Sequence, residues 1–258
     1  MKITVCSYFR DSMVWHDIKT NQVNKFFEQI NQQSEFLKSK GLDINFNLVL
    51  LENGSKDNTN EVILENIKNN KNATFIKLCE NLTDTPVEST GRKERLETLS
   101  KIGNVIIETA KQIDSDYIFW TESDLLLPDE STIYNLLQKI EEDENIGIVA
   151  PIIFIKNLDN NIHFYDTWAY ESEDKKIWTN AYPYNETYIS SNDRYIKMNS
   201  IGSSCLIKSK HMENVNFGKN CFRELCSKMK AKQKQIILDT KTIIWHPSDN
   251  GFVKQRWI

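Results

Sequence analysis

Along the first 155 positions, short β-branched runs alternate with stripes at helical spacing. "KITVCSYF" (2–9) is an almost unbroken apolar run of the kind a buried strand needs. Beyond it Val23, Phe26, Phe27, Ile30 and Leu37 recur at helical spacing, and Gly41 supplies a stop. "INFNLVLLE" reads as a second strand that runs into "NGSKDNT", a dense turn. Thr59 is placed to cap a helix bearing Val62, Ile63 and Ile67. "ATFIKLC" is a short third strand, and Leu96, Leu99, Gly103, Ile106, Ala110 and Ile113 form one long amphipathic stripe. "YIFWTESD" predicts the fourth strand, "PDESTIYNLLQKIEED" a helix opened by Pro128, and "IGIVAPIIFI" the next strand. This order predicts an α/β fold, a mainly parallel sheet flanked by helices, with ligands at the carboxyl ends of its strands. Those ends carry Ser7 to Asp11 (Arg10 among them), Glu52 to Asp57, and Glu122 to Asp124.

From residue 156 the alternation fades. "MNSIGSSCLIKS" predicts a strand after a glycine turn, "CFRELCSKMKAK" a helix, "QIILDTKTIIWHP" a pair of short strands, and "SDNGFVKQRWI" a tail. With no internal repeat and no Pro- or Gly-rich linker, 1–258 reads as one domain. Residues 1–155 are its sheet half, and 156–258 a variable half and tail.

Composition narrows the chemistry. Hydrophobic residues at 40% and charged ones at 26% suit a globular protein, and a net charge of -4 argues against nucleic acid as partner. Five cysteines without CxxC spacing disfavour a disulfide framework or a zinc site. The chain opens on a strand-like run, so the expectation is a cytoplasmic protein without signal peptide or transmembrane segment.

The acidic "ESD" is the sharpest chemical feature. On a strand Glu122 and Asp124 would share a face, and two like charges 4 Å apart repel by roughly 4 kcal/mol at an effective dielectric of 20. A divalent cation, Mn2+ or Mg2+, that also holds a substrate diphosphate would relieve this. A helix-capping role for either carboxylate is the plainer alternative. "LLENGSKDNT" suits a nucleotide base and ribose, or simply a turn. Arg92 and Arg95, at the start of the long helix, oppose its dipole and so point to an anionic partner, although Glu94 and Glu97 offer ordinary pairs. In "HFYDTWAYES", Asp166 and Glu171 stand among Tyr165, Trp168 and Tyr170, a combination that suits sugars or a small satellite core. His246, after an apolar run, gains meaning only if its strand returns to Asp124. Lys254 and Arg256 could reach phosphates. Glu224 is a packed surface residue or a catalytic carboxylate.

Taken in order, "SYFRDS", "LLENGSKDNT", "RKERLETLSKIGN", "DYIFWTESDLLLP", "GIVAPIIF", "FYDTWAYES", "SIGSSCLIKS" and "ELC" resemble GT-A glycosyltransferases. The similarity is greatest to fungal capsule-associated and Anp-type mannosyltransferases, over about residues 3–247. The resemblance implies transfer of a sugar, mannose favoured, from a nucleoside-diphosphate sugar to a glycan or other hydroxyl, with retention. GDP-mannose is the favoured donor, a UDP-sugar the other. It implies Glu52 and Asn53 at base and ribose with Asp57 closing that turn, and Glu122, Ser123 and Asp124 at the diphosphate. Glu122, Asp124 and His246 are the implied metal ligands, and Asp166 and Glu224 the implied groups near the reaction centre. Tyr165, Trp168 and Glu171 are expected at the acceptor. Were the reaction inverting, Glu224 or Asp166 would be its base. The chain departs from the pattern in having Glu where a DxD motif begins. A non-catalytic glycan- or nucleotide-binding module and a sugar nucleotidyltransferase are the competing classes. The latter lacks its Gly-rich loop after the first strand.

Overall fold

The apolar runs are buried on both faces, which requires a sheet covered by helices on each side. The computed structural model describes residues 1–13, 21–78, 93–156, 162–165, 169–174 and 193–246. In chain order they form β1 (Lys2–Phe9), α1 (Gln22–Ser39), β2 (Asn45–Asn53), α2 (Thr59–Ile67), β3 (Ala73–Leu78), α3 (Lys93–Lys111), β4 (Tyr117–Thr121) and α4 (Thr132–Glu141). There follow β5 (Ile146–Lys156), β6 (Ile162–Phe164), β7 (Glu171–Ser172), β8 (Tyr195–Ser200), β9 (Ser204–Lys208), α5 (Phe222–Ala231) and β10 (Gln235–His246). The sheet order is β3-β2-β1-β4-β9-β5-β10-β8-β7, with β6 added to β5. β1, β2, β3 and β4 are parallel neighbours, as are β5 and β10; β9 runs antiparallel between β4 and β5. The carboxyl ends of β1, β2, β4, β5 and β10 therefore share one edge. Among the described residues no helix is long and apolar enough to cross a membrane.

Alternate side chains face different helices. Phe9 meets Phe26 of α1 edge-on at 5.1 Å, and the Tyr117 hydroxyl donates to Glu141 of α4. On the other face Trp120 meets Phe217 and Phe222 at 5.1 and 5.9 Å. Gly103 of α3 lies so close that a Cβ would come within 2.6 Å of the Phe217 ring. The expected stop of α1 is a Schellman turn: Gly41 has φ +76°, its N–H donates to Lys38, and Leu42 N–H donates to Leu37 at 3.2 Å.

Several expectations change. Thr59 is the first helical residue of α2 and Asn58 its cap, because the Thr59 hydroxyl is drawn to Asp57. "QIILDTKTIIWH" is one strand rather than two: β10 slips register on β5 between Asp239 and Ile243, so the polar stretch that reads as a turn is a bulge. The buried Asp239 carboxylate makes that bulge tolerable, taking Arg194 at 3.0 Å on each oxygen and the Thr242 hydroxyl at 2.7 Å. A strand before Gly202, β8, adds to the one predicted after it.

Candidate active site

β4 stops at Thr121, one residue short of the acidic pair. Glu122 to Asp124 form a turn, closed by Leu125 N–H on Glu122 O at 3.2 Å, and Glu122 N–H donates to Ser203 O at 3.1 Å. Glu122 and Asp124 therefore lie on a turn and not on one face of a strand. What defines Asp124 is the next stretch of chain. Leu126 and Trp245 exchange backbone hydrogen bonds of 2.7 and 2.9 Å, which returns the end of β10 to this turn. His246 Nε2 is thereby brought to 3.3 Å from Asp124 Oδ2. Tyr165 stacks on the imidazole, centroids 4.0 Å apart and planes 20° from parallel.

The Asp124 Oδ1 atom is buried and has no hydrogen-bond partner. A carboxylate oxygen withdrawn from water needs a donor or a cation. A buried carboxylate oxygen beside an imidazole nitrogen is a donor set that suits Mn2+ better than Mg2+, which takes oxygen ligands. Among the described residues, however, no three His, Cys, Asp or Glu side chains converge on one point. Asp124 and His246 meet, and Glu122 does not join them in a three-residue cluster.

At the neighbouring strand ends the β1 and β2 loops clasp each other. Asp57 Oδ2 accepts Met13 N–H at 3.0 Å, while Oδ1 accepts the Thr59 N–H and hydroxyl at 3.0 and 2.5 Å. Thr59 Oγ1 accepts Ser12 N–H at 2.7 Å, Ser55 Oγ accepts Asp11 N–H at 2.9 Å, and Asp11 Oδ1 accepts Lys56 N–H at 2.7 Å. Asp57, expected at the nucleotide, thus has both oxygens engaged in holding the loops. Glu52 and Asn53 are buried at the end of β2, and Glu52 Oε1 accepts Ser55 N–H at 2.5 Å. Gly54, at φ +67°, lets the turn fold over that carboxylate. Arg10 points its guanidinium to Asp11, 3.6 Å away. Ser123 is buried within the acidic turn.

Ser7 has a buried hydroxyl without a partner, and so does Thr121. The β1–β4 register, Cys6 opposite Trp120, sets these two side by side at the edge where the parallel strands end. Thr121 is a residue the sequence reading missed; the alternation that places Ser7 there would have found it.

Glu224 lies in the first turn of α5, which Phe222 anchors against Trp120 near the end of β4. Its carboxylate packs onto Gly218, where a Cβ would overlap Oε2. Glu171 pairs with Ser200 on the edge strand and accepts from Asn199 at 3.2 Å. Arg95 falls within α3. Arg92, Asp166, Trp168, Lys254 and Arg256 lie outside the described residues. The thiols of Cys6, Cys205 and Cys226 are wholly buried, and burial raises their pKa, that of Cys226 to about 12, so none is a ready nucleophile. A cavity of about 660 Å³ opens at the opposite edge of the sheet, lined by Lys111, Asp114, Ser115 and Lys210. Its lysines are paired with Glu108 and Glu144.

No family of known sequences matches the chain, and no curated protein does. Solved structures do. The mannosyltransferase PcManGT from Pyrobaculum calidifontis, in complex with GDP-Man and Mn2+, superposes with a TM-score of 0.57 at 13% identity, over 97% of this chain and 58% of that one. GalNAc-T7 with UDP, GalNAc and Mn2+ gives 0.57 at 14% identity, over 96% and 43%. TarS from S. aureus gives 0.55 at 13%, over 99% and 38%. The chain thus spans less than two thirds of each of these proteins. With its mixed central sheet and helices on both faces, it has the GT-A fold.

Proposed function

We propose that the protein is a metal-dependent glycosyltransferase that moves a sugar from a nucleoside-diphosphate sugar to a hydroxyl of a glycan or similar acceptor. The observation that carries this reading is the approach of His246 to Asp124, 3.3 Å, beside a carboxylate oxygen that is buried without a partner. The likeness to GT-A proteins solved with GDP-Man, UDP and Mn2+ supports it.

Asp124 and His246 are the residues that would hold Mn2+ or Mg2+; Glu122, the third ligand that the motif order implies, lies in the same turn but outside their cluster. A bound divalent ion supplies Lewis acidity toward a departing diphosphate. Tyr165, stacked on His246, orients the imidazole and shields one of its faces. Glu52 and Asn53 receive base and ribose at the end of β2. Asp57 serves that subsite by clasping its two loops, with Ser7 on β1 and Arg10 just beyond its end, and Arg92 and Arg95 are assigned to the phosphates. Tyr165, Trp168 and Glu171 are assigned to the acceptor. The 1–155 half takes the nucleotide sugar and the remainder the acceptor.

GDP-mannose as donor, retention of configuration and kinship with capsule-associated and Anp-type mannosyltransferases rest on the order of the sequence motifs. If transfer inverts, Glu224 or Asp166 is the base. The test is nucleoside-diphosphate release from GDP-, UDP- and dTDP-sugars with Mn2+ and with EDTA, acceptors included. Release from one donor, abolished by EDTA, is expected. Metal-independent nucleotide binding with no release from any donor would replace the enzyme by a binding module.

A further inference from the structure

Leu125–Leu127, the tripeptide that follows Asp124, is held along both edges. On one edge Leu126 exchanges backbone hydrogen bonds with Trp245. On the other, the buried Gln29 of α1 donates Nε2–H to Leu125 O at 3.3 Å and accepts Leu127 N–H on Oε1 at 2.9 Å. Its primary amide stands where the peptide group of an adjacent strand would stand. One helical turn on, Gln33 repeats the arrangement, donating to Asp129 O at 2.8 Å and accepting Ile133 N–H at 2.9 Å. Two glutamines four residues apart on the buried stripe of a helix are costly there unless their amides are satisfied. Both are satisfied by the segment that joins the acidic turn to α4.

We infer that Gln29 is a positioning residue for the Asp124–His246 pair. Asp124 is bonded covalently to Leu125, and His246 to Trp245. The distance between the two side chains therefore depends on how Leu125–Leu127 lies against the end of β10. Gln29 fixes that strip from the α1 side, where backbone pairing with Trp245 fixes only the other. Without it, Leu127 N–H is left buried with no acceptor, and the strip is held along a single edge. The inference rests on the reading of Asp124 and His246 as ligands of a divalent cation.

The test compares Gln29→Met, which removes both amide contacts at similar volume, with Gln33→Met, the same change one turn farther from Asp124. Two quantities are measured on the full chain. One is hydrogen exchange at Leu126 N–H in metal-free protein, because neither substitution touches its acceptor, Trp245 O. The other is the Kd for Mn2+ in the presence of GDP or UDP, read from the EPR signal of free Mn2+. Gln29→Met is expected to speed Leu126 exchange, beyond any change in global stability, by about tenfold, the effect of one lost hydrogen bond. It is expected to weaken Mn2+ binding about tenfold, as loss of a residue that orients a metal ligand does. Gln33→Met should change neither quantity by as much as about twofold, its bonds lying beyond the strip that sets the pair. Equal effects of the two variants, or Mn2+ binding untouched by Gln29→Met, overturn the role given to Gln29 alone. Wild-type protein that takes up no Mn2+ with either nucleotide overturns the reading of the pair, and the positioning role with it. Should Gln29→Met fail to fold, Gln29→Glu compared with Gln33→Glu tests the lost donor to Leu125 O alone: both quantities are expected to shift the same way for Gln29→Glu, and no difference between the two variants overturns the role.

Discussion

His246 Nε2 and Asp124 Oδ2 lie 3.3 Å apart, joined by elements from opposite halves of the chain. Asp124 Oδ1 has no partner to lose. Asp124→Asn should therefore leave the melting temperature within about 2 °C of wild type, since little stabilising contact is removed. Turnover should fall about 100-fold or more, the loss expected when one group that stabilises transition-state charge is removed. Nucleotide release assays with Mn2+, paired with a thermal melt, check both halves; an active variant would sink the metal assignment.

The Asp57–Met13 contact makes a different prediction. Asp57→Asn keeps the shape but turns an NH2 group toward either Met13 N–H or Thr59 N–H, which now lack an acceptor. The expected cost is about 1–3 kcal/mol, the range for a donor left unsatisfied. The KM for donor should rise more than kcat falls, because the clasp shapes the nucleotide loops and not the reacting atoms. Urea unfolding and donor-titrated kinetics separate the two effects.

Gly103→Ala sets two known effects against each other. Alanine in a helix gains about 1 kcal/mol over glycine. Its methyl would sit 2.6 Å from the Phe217 ring, which Trp120 and Phe222 pin at 5.1 and 5.0 Å. Overpacking costs about 1–3 kcal/mol. The steric term should win, giving a lower urea midpoint; a higher one would mean that Phe217 moves freely.

His211 predicts a pH effect on stability. Burial, then Lys234, lower its pKa from the ordinary 6.5, against an opposing contribution from Glu144, whose carboxylate lies 4.0 Å from the buried Nε2 without a hydrogen bond to it. The unfolded chain protonates this histidine first. Its contribution is therefore complete above pH 6.5 and is lost as pH falls through the lower folded value. Urea midpoints of wild type and His211→Gln should run parallel from pH 8 to about 7 and converge as the pH drops toward about 5, the window set by histidine titration. Parallel curves throughout would refute the assignment.

Residue patterns by themselves determined the α/β order, because β-branched runs and helical stripes are local signals. Val23, Phe26, Phe27, Ile30 and Leu37 are all buried on α1, and Gly41 ends it. Those patterns also brought the right strand ends to one edge, since parallel strands joined by helices must finish together. What they left open was decided by contacts between distant segments. The polar stretch Asp239–Thr242 looks like a turn until Arg194, far back in the chain, satisfies its carboxylate and lets the strand continue. That Asp57 clasps two loops shows only once the β1 loop arrives: Met13 N–H takes one of its oxygens and Thr59 the other. Thr59 looks like a cap until its hydroxyl is claimed by Asp57. Whether His246 meets Asp124 could not be read from "IIWHP". That depended on the Leu126–Trp245 pairing, a pair of backbone hydrogen bonds that leaves no mark on side-chain identity. Local chemistry specified which groups the protein owns, and the tertiary fold specified which of them meet.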